Sequence, residues 1–512
     1  MQLDRDTCDR ARRSRDARFD GRFFIGVTTT RVYCRPICPA RAPKDAHVRY
    51  FPSAAAAQAA GFRPCLRCRP EAAPGTAAWI GTSAVVSRAL RLINDGALDR
   101  EPVETLADRT GITARHLRRL FLQHLGATPH EVALTRRVHF AKKLLDETHL
   151  SCRDVASAAG FGSVRRFNDE IRRVYRRTPS ELRNKARRPA VADTHCYAFT
   201  LAYRPPYDWD ALLRFLGARA TPGVEAVTAS RYVRTISLDG KTGSLDIAHD
   251  PDRSALKVSV RFPDSTDLLR IIERVRSLFD VAADPLIVGE QLGVDALLRP
   301  ALAAHPGIRV PGAWDGFELA VRAILGQQIS VTAATTVAGR LAAMFGSSTR
   351  SYGPVDRLFP NASELANAPI ERAGVIATRA TAIRALARQV VSGHIRLEPN
   401  DDERSTMAAL SAIHGIGDWT AQYVAMRAFR DPDACPHGDL VLRQMVGART
   451  ARELCDRAER WRPWRAYAVL LLWHHSHDQP SSRRGVRARD RARWSEIREA
   501  ADREIGEIGD VT

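Results

Sequence analysis

Between residues 195 and 265 apolar and polar side chains alternate in four runs: Tyr197 to Ala202, Ala226 to Ser237, Ser244 to Ala248 and Leu256 to Phe262. A period of two predicts strands of a half-buried sheet. Elsewhere the apolar spacing is three and four, as in Leu117, Leu120 and Phe121 and again in Phe167, Ile171 and Tyr175, which predicts helices with one buried face. The first of these segments follows Val103-Glu104-Thr105-Leu106-Ala107 and Gly111; the second follows Asp154-Val155-Ala156 and Gly160. Each glycine stands where a turn between two helices needs a left-handed residue, so the pattern reads as a repeated helix-turn-helix. A further helix-compatible run, Thr420 to Phe429, is preceded by Gly415 and Gly417. Two glycines one residue apart let the backbone turn tightly, so that amides at the helix start face an anion such as a DNA phosphate.

No apolar run approaches the roughly 20 residues that cross a bilayer, and Met1 to Arg22 is charged throughout, so neither a membrane span nor a secretory signal is expected and the chain reads as cytoplasmic. With 512 residues it has room for several domains. The expected division is multidomain α+β: a small cysteine-bearing domain at 1–77, a helical domain at 84–185, a mixed α/β domain at 195–300, an all-helical domain at 301–476 and a charged tail at 477–512. Net charge is +20 and lies almost wholly in the first third, where residues 1–188 hold 37 Lys and Arg against 19 Asp and Glu; residues 189–512 hold 41 against 39. Such a block implies contact with a polyanion.

Nine cysteines do not form a disulfide framework in a chain this long, and four of them cluster. Three residues lie between Cys34 and Cys38 and two between Cys65 and Cys68, which suits one tetrahedral zinc ion. Cys8, Cys152, Cys196, Cys435 and Cys455 read as ordinary small residues. The surroundings, Thr30-Arg31-Val32-Tyr33-Cys34-Arg35-Pro36-Ile37-Cys38-Pro39-Ala40-Arg41 and Gly61-Phe62-Arg63-Pro64-Cys65-Leu66-Arg67-Cys68, closely resemble the Ada-type zinc domain. That resemblance implies that Cys34 accepts a methyl group from a DNA methylphosphotriester and that Thr30, Arg41 and Arg63 contact DNA. The chemistry agrees with the residue types, because zinc keeps thiols deprotonated and a thiolate is the nucleophile. Methylation also makes the site less negative, which weakens its repulsion of phosphates.

The helical block, closing in Thr178-Pro179-Ser180-Glu181-Leu182-Arg183, resembles the AraC-type DNA-binding domain. Its outward arginines, Arg115, Arg118, Arg165 and Arg166 among them, are base-edge and phosphate readers by type. The combination implies a methylation-sensing transcriptional activator that binds promoter DNA and contacts RNA polymerase. The Pro-Cys-His-Arg segment of the second Ada methyl acceptor does not occur, so direct reversal of O6-alkylguanine is not expected.

The last block, with Tyr203-Arg204-Pro205-Pro206-Tyr207-Asp208-Trp209, Arg322 to Ser330, the Ile413 to Ala421 turn and Asp439, resembles bacterial 3-methyladenine DNA glycosylase II of the helix-hairpin-helix superfamily. That implies monofunctional N-glycosidic hydrolysis of alkylated purines in damaged double-stranded DNA. Asp439 is the implied catalytic carboxylate, Trp419, Tyr423, Trp473 and Phe215 the implied base slot, and Gln328, Gly415 and Gly417 the implied DNA contacts. Methylation at N3 or N7 makes a purine cationic and labile, so such a base needs an aromatic slot and an anion near the sugar, without a dedicated acid. Trp419 occupies the place where lyase-type members carry lysine. Three departures bear on substrate range: Gln328 in place of an apolar wedge, His414 in place of proline, and His474 in place of an aromatic hydroxyl. The alternative reading is a methylation-sensing transcription factor with an inactive glycosylase half.

Overall fold

The computed structural model describes residues 4–74, 84–94, 96–183, 195–228, 230–397 and 403–478. The expected charged tail lies outside these residues from 479 onward, as does most of the connector near Lys185 to Asp193. In the N-terminal part a four-stranded sheet has the order Val48–Phe51, Phe24–Val27, Val32–Cys34, Arg63–Pro64. The last two strands pair in parallel, with Tyr33 opposite Pro64, and the Cys65 amide donates to the Tyr33 carbonyl at 2.9 Å. This pairing, rather than any local turn, carries one cysteine pair to the other. Phe24, Tyr33, Phe51 and Phe62 fill the space beneath.

The two helix-turn-helix units are Val103–Arg109 with Ala114–Leu125, and Cys152–Ala158 with Val164–Tyr175. Gly111 and Gly160 have φ of +73° and +77°, the left-handed conformation the pattern requires. Leu117, Phe121, Phe167, Ile171 and Tyr175 are buried, while Arg115, Arg118, Arg165 and Arg166 are exposed. Between the units runs the long helix Pro129–Glu147, begun by a reciprocal cap between Thr128 and Glu131. The cysteine-bearing domain rests on this helix. Tyr33 Oη lies 3.0 Å from His139 Nε2, and Ser53 Oγ donates to the Leu125 carbonyl at 2.7 Å. Burial pushes His139 down to about 4, so its ring is neutral at pH 7.

The predicted strands form one antiparallel five-stranded sheet in the order Cys196–Ala202, Ala255–Arg261, Lys241–Asp250, Arg231–Leu238, Glu225–Val227. One expectation fails here: Ala226 to Ser237 is not a single strand but two, Glu225–Val227 folding back on Arg231–Leu238. The sheet and the second helix-turn-helix share a core, in which Phe140 stacks on Phe199 with centroids 6.4 Å apart. The region after the sheet is not all-helical either. A ribbon of Ser348–Tyr352 and Val355–Arg357 interrupts it, tied by Val355 to Gly223. The ribbon strands are largely polar and at least partly exposed except at Val355, so no apolar alternation announces them.

Helices Gly316–Leu325, Val331–Phe345, Ala377–Val391, Glu403–Ser411, Asp418–Arg427, Leu440–Val446 and Arg465–Asp478 surround the largest core. No helix among the described residues is long and apolar enough to cross a membrane.

Candidate active site and zinc centre

The hairpin joins Glu403–Ser411 to Asp418–Arg427. The second helix therefore starts two residues before, and ends two residues before, the predicted span. Of its two glycines only Gly415 is left-handed, at φ +90°; a Cβ there would stand 3.2 Å from the Ala382 methyl. Gly417 is extended and open, and serves as the helix N-cap without a side chain. Gln327 fastens the turn from the neighbouring loop. Its amide donates to the Gly415 carbonyl at 2.9 Å and to Thr420 Oγ1 at 3.0 Å. The next residue, Gln328, is exposed at the lip of the cleft with φ +56°, and His414 is exposed on the opposite lip.

Asp439 caps the helix Leu440–Val446, its Oδ1 accepting from the Leu442 amide at 2.9 Å. Two indoles hold the same carboxylate. Trp419 Nε1 donates to Oδ2 at 3.0 Å and Trp473 Nε1 to Oδ1 at 3.3 Å. A carboxylate has about four lone-pair sites, and three are taken, so the remaining one on Oδ2 is free for the cleft. The carboxylate that the resemblance singled out is thus also a helix N-cap. The cleft has a volume of about 1230 Å³, and Asp439, Trp419, Tyr423, Trp473, Arg219 and Gln328 line it.

Trp419 and Tyr423 stack on each other with centroids 5.3 Å apart and planes 8° from parallel, which leaves no room for a base between them. The ring surface they offer the cleft is on their outer faces and on Trp473, whose ring is 6.3 Å from that of Tyr423. Phe215 stands behind, buried and stacked on Trp473 at 6.4 Å, so it backs the cleft rather than lining it. His474 also turns away from the cleft, toward Phe215 and His305.

Arg427 was not singled out by the sequence, although it lies four residues beyond Tyr423 on the same helix face. Its guanidinium is buried, donates to the Tyr423 hydroxyl at 2.8 Å, and anchors to the carbonyls of Pro311 and Gly312 at 2.8 Å each. Arg219 lies over the Phe215 ring, 3.8 Å from its centroid. Burial opposes ionisation of Tyr423, yet the charges of Arg427, Arg219 and Arg322 outweigh it and hold the phenol below its ordinary range.

In the N-terminal domain the sulfurs of Cys34, Cys38, Cys65 and Cys68 all lie within 4.8 Å of one another, the geometry of a four-thiolate zinc site. Cys65 and Cys68 are buried, Cys34 and Cys38 partly open. Backbone amides donate to three of the sulfurs: Ala40 to Cys38, Cys68 to Cys65, and Arg35 to Cys68 at 3.4 Å. Around the quartet, Thr30 and Arg41 are exposed and Arg63 is half-buried.

Comparison with known proteins agrees with this layout. Residues 7–71 match the metal binding domain of Ada, 106–185 a helix-turn-helix domain, and 198–315 the AlkA N-terminal domain. A Mycobacterium tuberculosis protein described as "Probable bifunctional transcriptional activator/DNA repair enzyme AlkA" is 40% identical over 481 residues, covering 92% of this chain and 97% of that one. The chain belongs to this AlkA family of bifunctional activators and repair enzymes. Its glycosylase half is 34% identical over 285 residues to DNA-3-methyladenine glycosylase 2 of Escherichia coli, 55% of this chain and 99% of that one. Its first part is 39% identical over 118 residues to the Escherichia coli enzyme Ada, 23% of this chain and 31% of that one. The AlkA-type glycosylase, the helix-turn-helix pair and the cysteine-ligated zinc are therefore features of one family, joined here in a single chain.

Proposed function

We propose that the glycosylase half releases alkylated purines of the 3-methyladenine type by monofunctional hydrolysis, with Asp439 as its catalytic carboxylate. The observation that carries this reading is the free lone pair of Asp439 Oδ2, held beside a cleft walled by Trp419, Tyr423 and Trp473. A cationic base gains stacking and cation–π energy on such rings, of roughly 0.5 to 2 kcal/mol per contact. As the glycosidic bond breaks, the carboxylate stabilises the positive sugar and orients the water that adds to it. Gly415 and the amides at the start of Asp418–Arg427 hold a phosphate, and Gln328 enters the duplex beside the extruded nucleotide. Among the described residues lining the cleft there is no lysine to form a Schiff base, in keeping with a monofunctional reaction.

The second part of the proposal is that Cys34 takes a methyl group from a DNA methylphosphotriester. Zinc, when bound, keeps the four thiols ionised at neutral pH. Cys34 is partly open whereas Cys65 and Cys68 are buried, so of those three sulfurs it is the one DNA can reach; Cys38 is also partly open, and it is the resemblance to the Ada-type domain that selects Cys34 between the two. The sulfur–carbon bond forms as the carbon–oxygen bond breaks, and the phosphodiester leaves. Thr30, Arg41 and Arg63 flank the DNA, and the exposed Arg115, Arg118, Arg165 and Arg166 read the promoter, where RNA polymerase is the expected partner. Mass spectrometry of the protein after incubation with methylphosphotriester DNA tests this part: one added methyl on the peptide holding Cys34 is expected.

A further inference from the structure

Counted from their N-caps, Thr113 and Ser163, the helices Ala114–Leu125 and Val164–Tyr175 align residue for residue: Leu117 with Phe167, Phe121 with Ile171, and Arg119 with Asp169. The first two pairs are buried. At 3.6 residues per turn the point opposite that buried stripe is Arg119 in one helix and Asp169 in the other, and both are exposed. The two helices therefore carry opposite charges at the centre of their outward faces. Asp169 stands among exposed arginines one turn away, Arg165 and Arg172 on one flank and Arg166 and Arg173 on the other. Among the described residues none of them pairs with it, and Arg173 is held by Glu170 at 2.8 Å instead. Asp169 is also mid-helix, so it neither caps an end nor answers the helix dipole.

We propose that Asp169 is a base-reading residue that accepts from the N4 amine of a cytosine in the major groove, so that the second helix-turn-helix selects a C·G pair at one position of its site. The inference rests on the promoter-reading role given above to the two helix-turn-helix units. A helix lying in the groove turns the centre of its outward face to the base edges and its flanks to the phosphate walls. A carboxylate is repelled at those walls, where the duplex carries one negative charge per about 1.7 Å, and there the arginines stand. At the centre it loses water and needs a donor. An ionised carboxylate only accepts, and cytosine alone shows the groove an amine with no acceptor on its own edge. Adenine sets N7 beside its amine, guanine offers two acceptors, and thymine offers an acceptor and a methyl group. Arg119, at the same place in the first helix, has only N–H donors and fits the two acceptors of guanine instead.

The test is selection of bound sites from randomised duplexes by the whole zinc-loaded chain, followed by affinity measurements on the selected site and its single-base variants. Wild type should prefer cytosine at one position by about tenfold or more, within the range of a good contact between side chain and base. Asp169→Ala should bring that position alone within about twofold, because the cytosine site loses a contact while every sequence gains from the removed negative charge. Asp169→Asn should move the preference there to adenine, whose amine and N7 match an amide. Arg119→Ala should leave the cytosine position unchanged. If Asp169→Ala tightens every sequence equally, the carboxylate is only a solvated surface group and the proposal is overturned. It is overturned as well if the position that relaxes is not a cytosine, or if Arg119→Ala relaxes the same position. A wild type that selects no sequence sinks the promoter-reading role, and this proposal with it. Circular dichroism checks that each variant is folded.

Discussion

The indole N–H of Trp419 donates to Asp439 at 3.0 Å, so the helix that follows the hairpin turn also aims the carboxylate. Asp439→Asn keeps an acceptor for the Leu442 amide and should keep the helix cap and the fold. In the proposed reaction it removes the negative charge that stabilises the sugar. Base release is expected to fall about 10²- to 10³-fold with lesion binding retained, measured by single-turnover kinetics and binding to the same duplex.

Gly415 and Gly417 look alike in sequence and differ in backbone. Gly415→Ala forces a side chain into φ +90° against Ala382, at a cost of about 1 to 2 kcal/mol, and should also weaken DNA binding. Gly417→Ala meets only open space and an ordinary φ, so thermal melting should barely move. Equal effects of the two would mean that the turn does not depend on the left-handed residue.

Zinc removal should act on the regulator before it acts on the glycosylase. The quartet closes the sheet edge formed by Val32–Cys34 and Arg63–Pro64, and that domain rests on the helix Pro129–Glu147 through Tyr33 and on the end of the helix Ala114–Leu125 through Ser53. Chelation is expected to lower promoter affinity at least tenfold while leaving base release from damaged duplex within about twofold. Metal analysis should find one zinc per chain before treatment.

Asp280 is partly buried, and desolvation pushes its carboxyl up to about 6, although Arg309, Tyr467 and the Val310 amide partly oppose this. A folded value above the unfolded one means that the folded state binds the proton more tightly between about pH 4 and 6. Stability is then lost as pH rises through that window and stays lower above it. Asp280→Asn should therefore raise the melting temperature at pH 8, with an advantage on the order of 2 kcal/mol that fades below pH 4. Thermal scans across pH 4 to 8 would show this as a shrinking gap between the two proteins.

Much of the site was legible because its chemistry is written locally. The cysteine spacings, the Gly415 turn and the position of Asp439 need no knowledge of the fold to be seen. What stayed hidden depends on long-range packing. The parallel pairing of Val32–Cys34 with Arg63–Pro64 leaves no periodic trace in two or three residues. The split of the predicted strand at Ala226 to Ser237 depends on a tight return that alternation cannot register. Nothing in the sequence singled out Arg427, and only the fold reveals its guanidinium buried among Phe215, Tyr423 and two carbonyls. Phe215 was placed in the slot by resemblance, whereas it supports Trp473 from behind.

The central claim is that one chain performs two separate chemistries on alkylated DNA, at Asp439 and at Cys34. The direct test is to incubate the whole protein with duplex DNA carrying isotopically labelled methyl groups and to measure released bases and protein-bound methyl together. Wild type should release methylated purines and retain one methyl per chain. Asp439→Asn should lose only the first signal and Cys34→Ser only the second. Loss of both signals in either variant, or label on another cysteine while Cys34 is intact, would contradict the account.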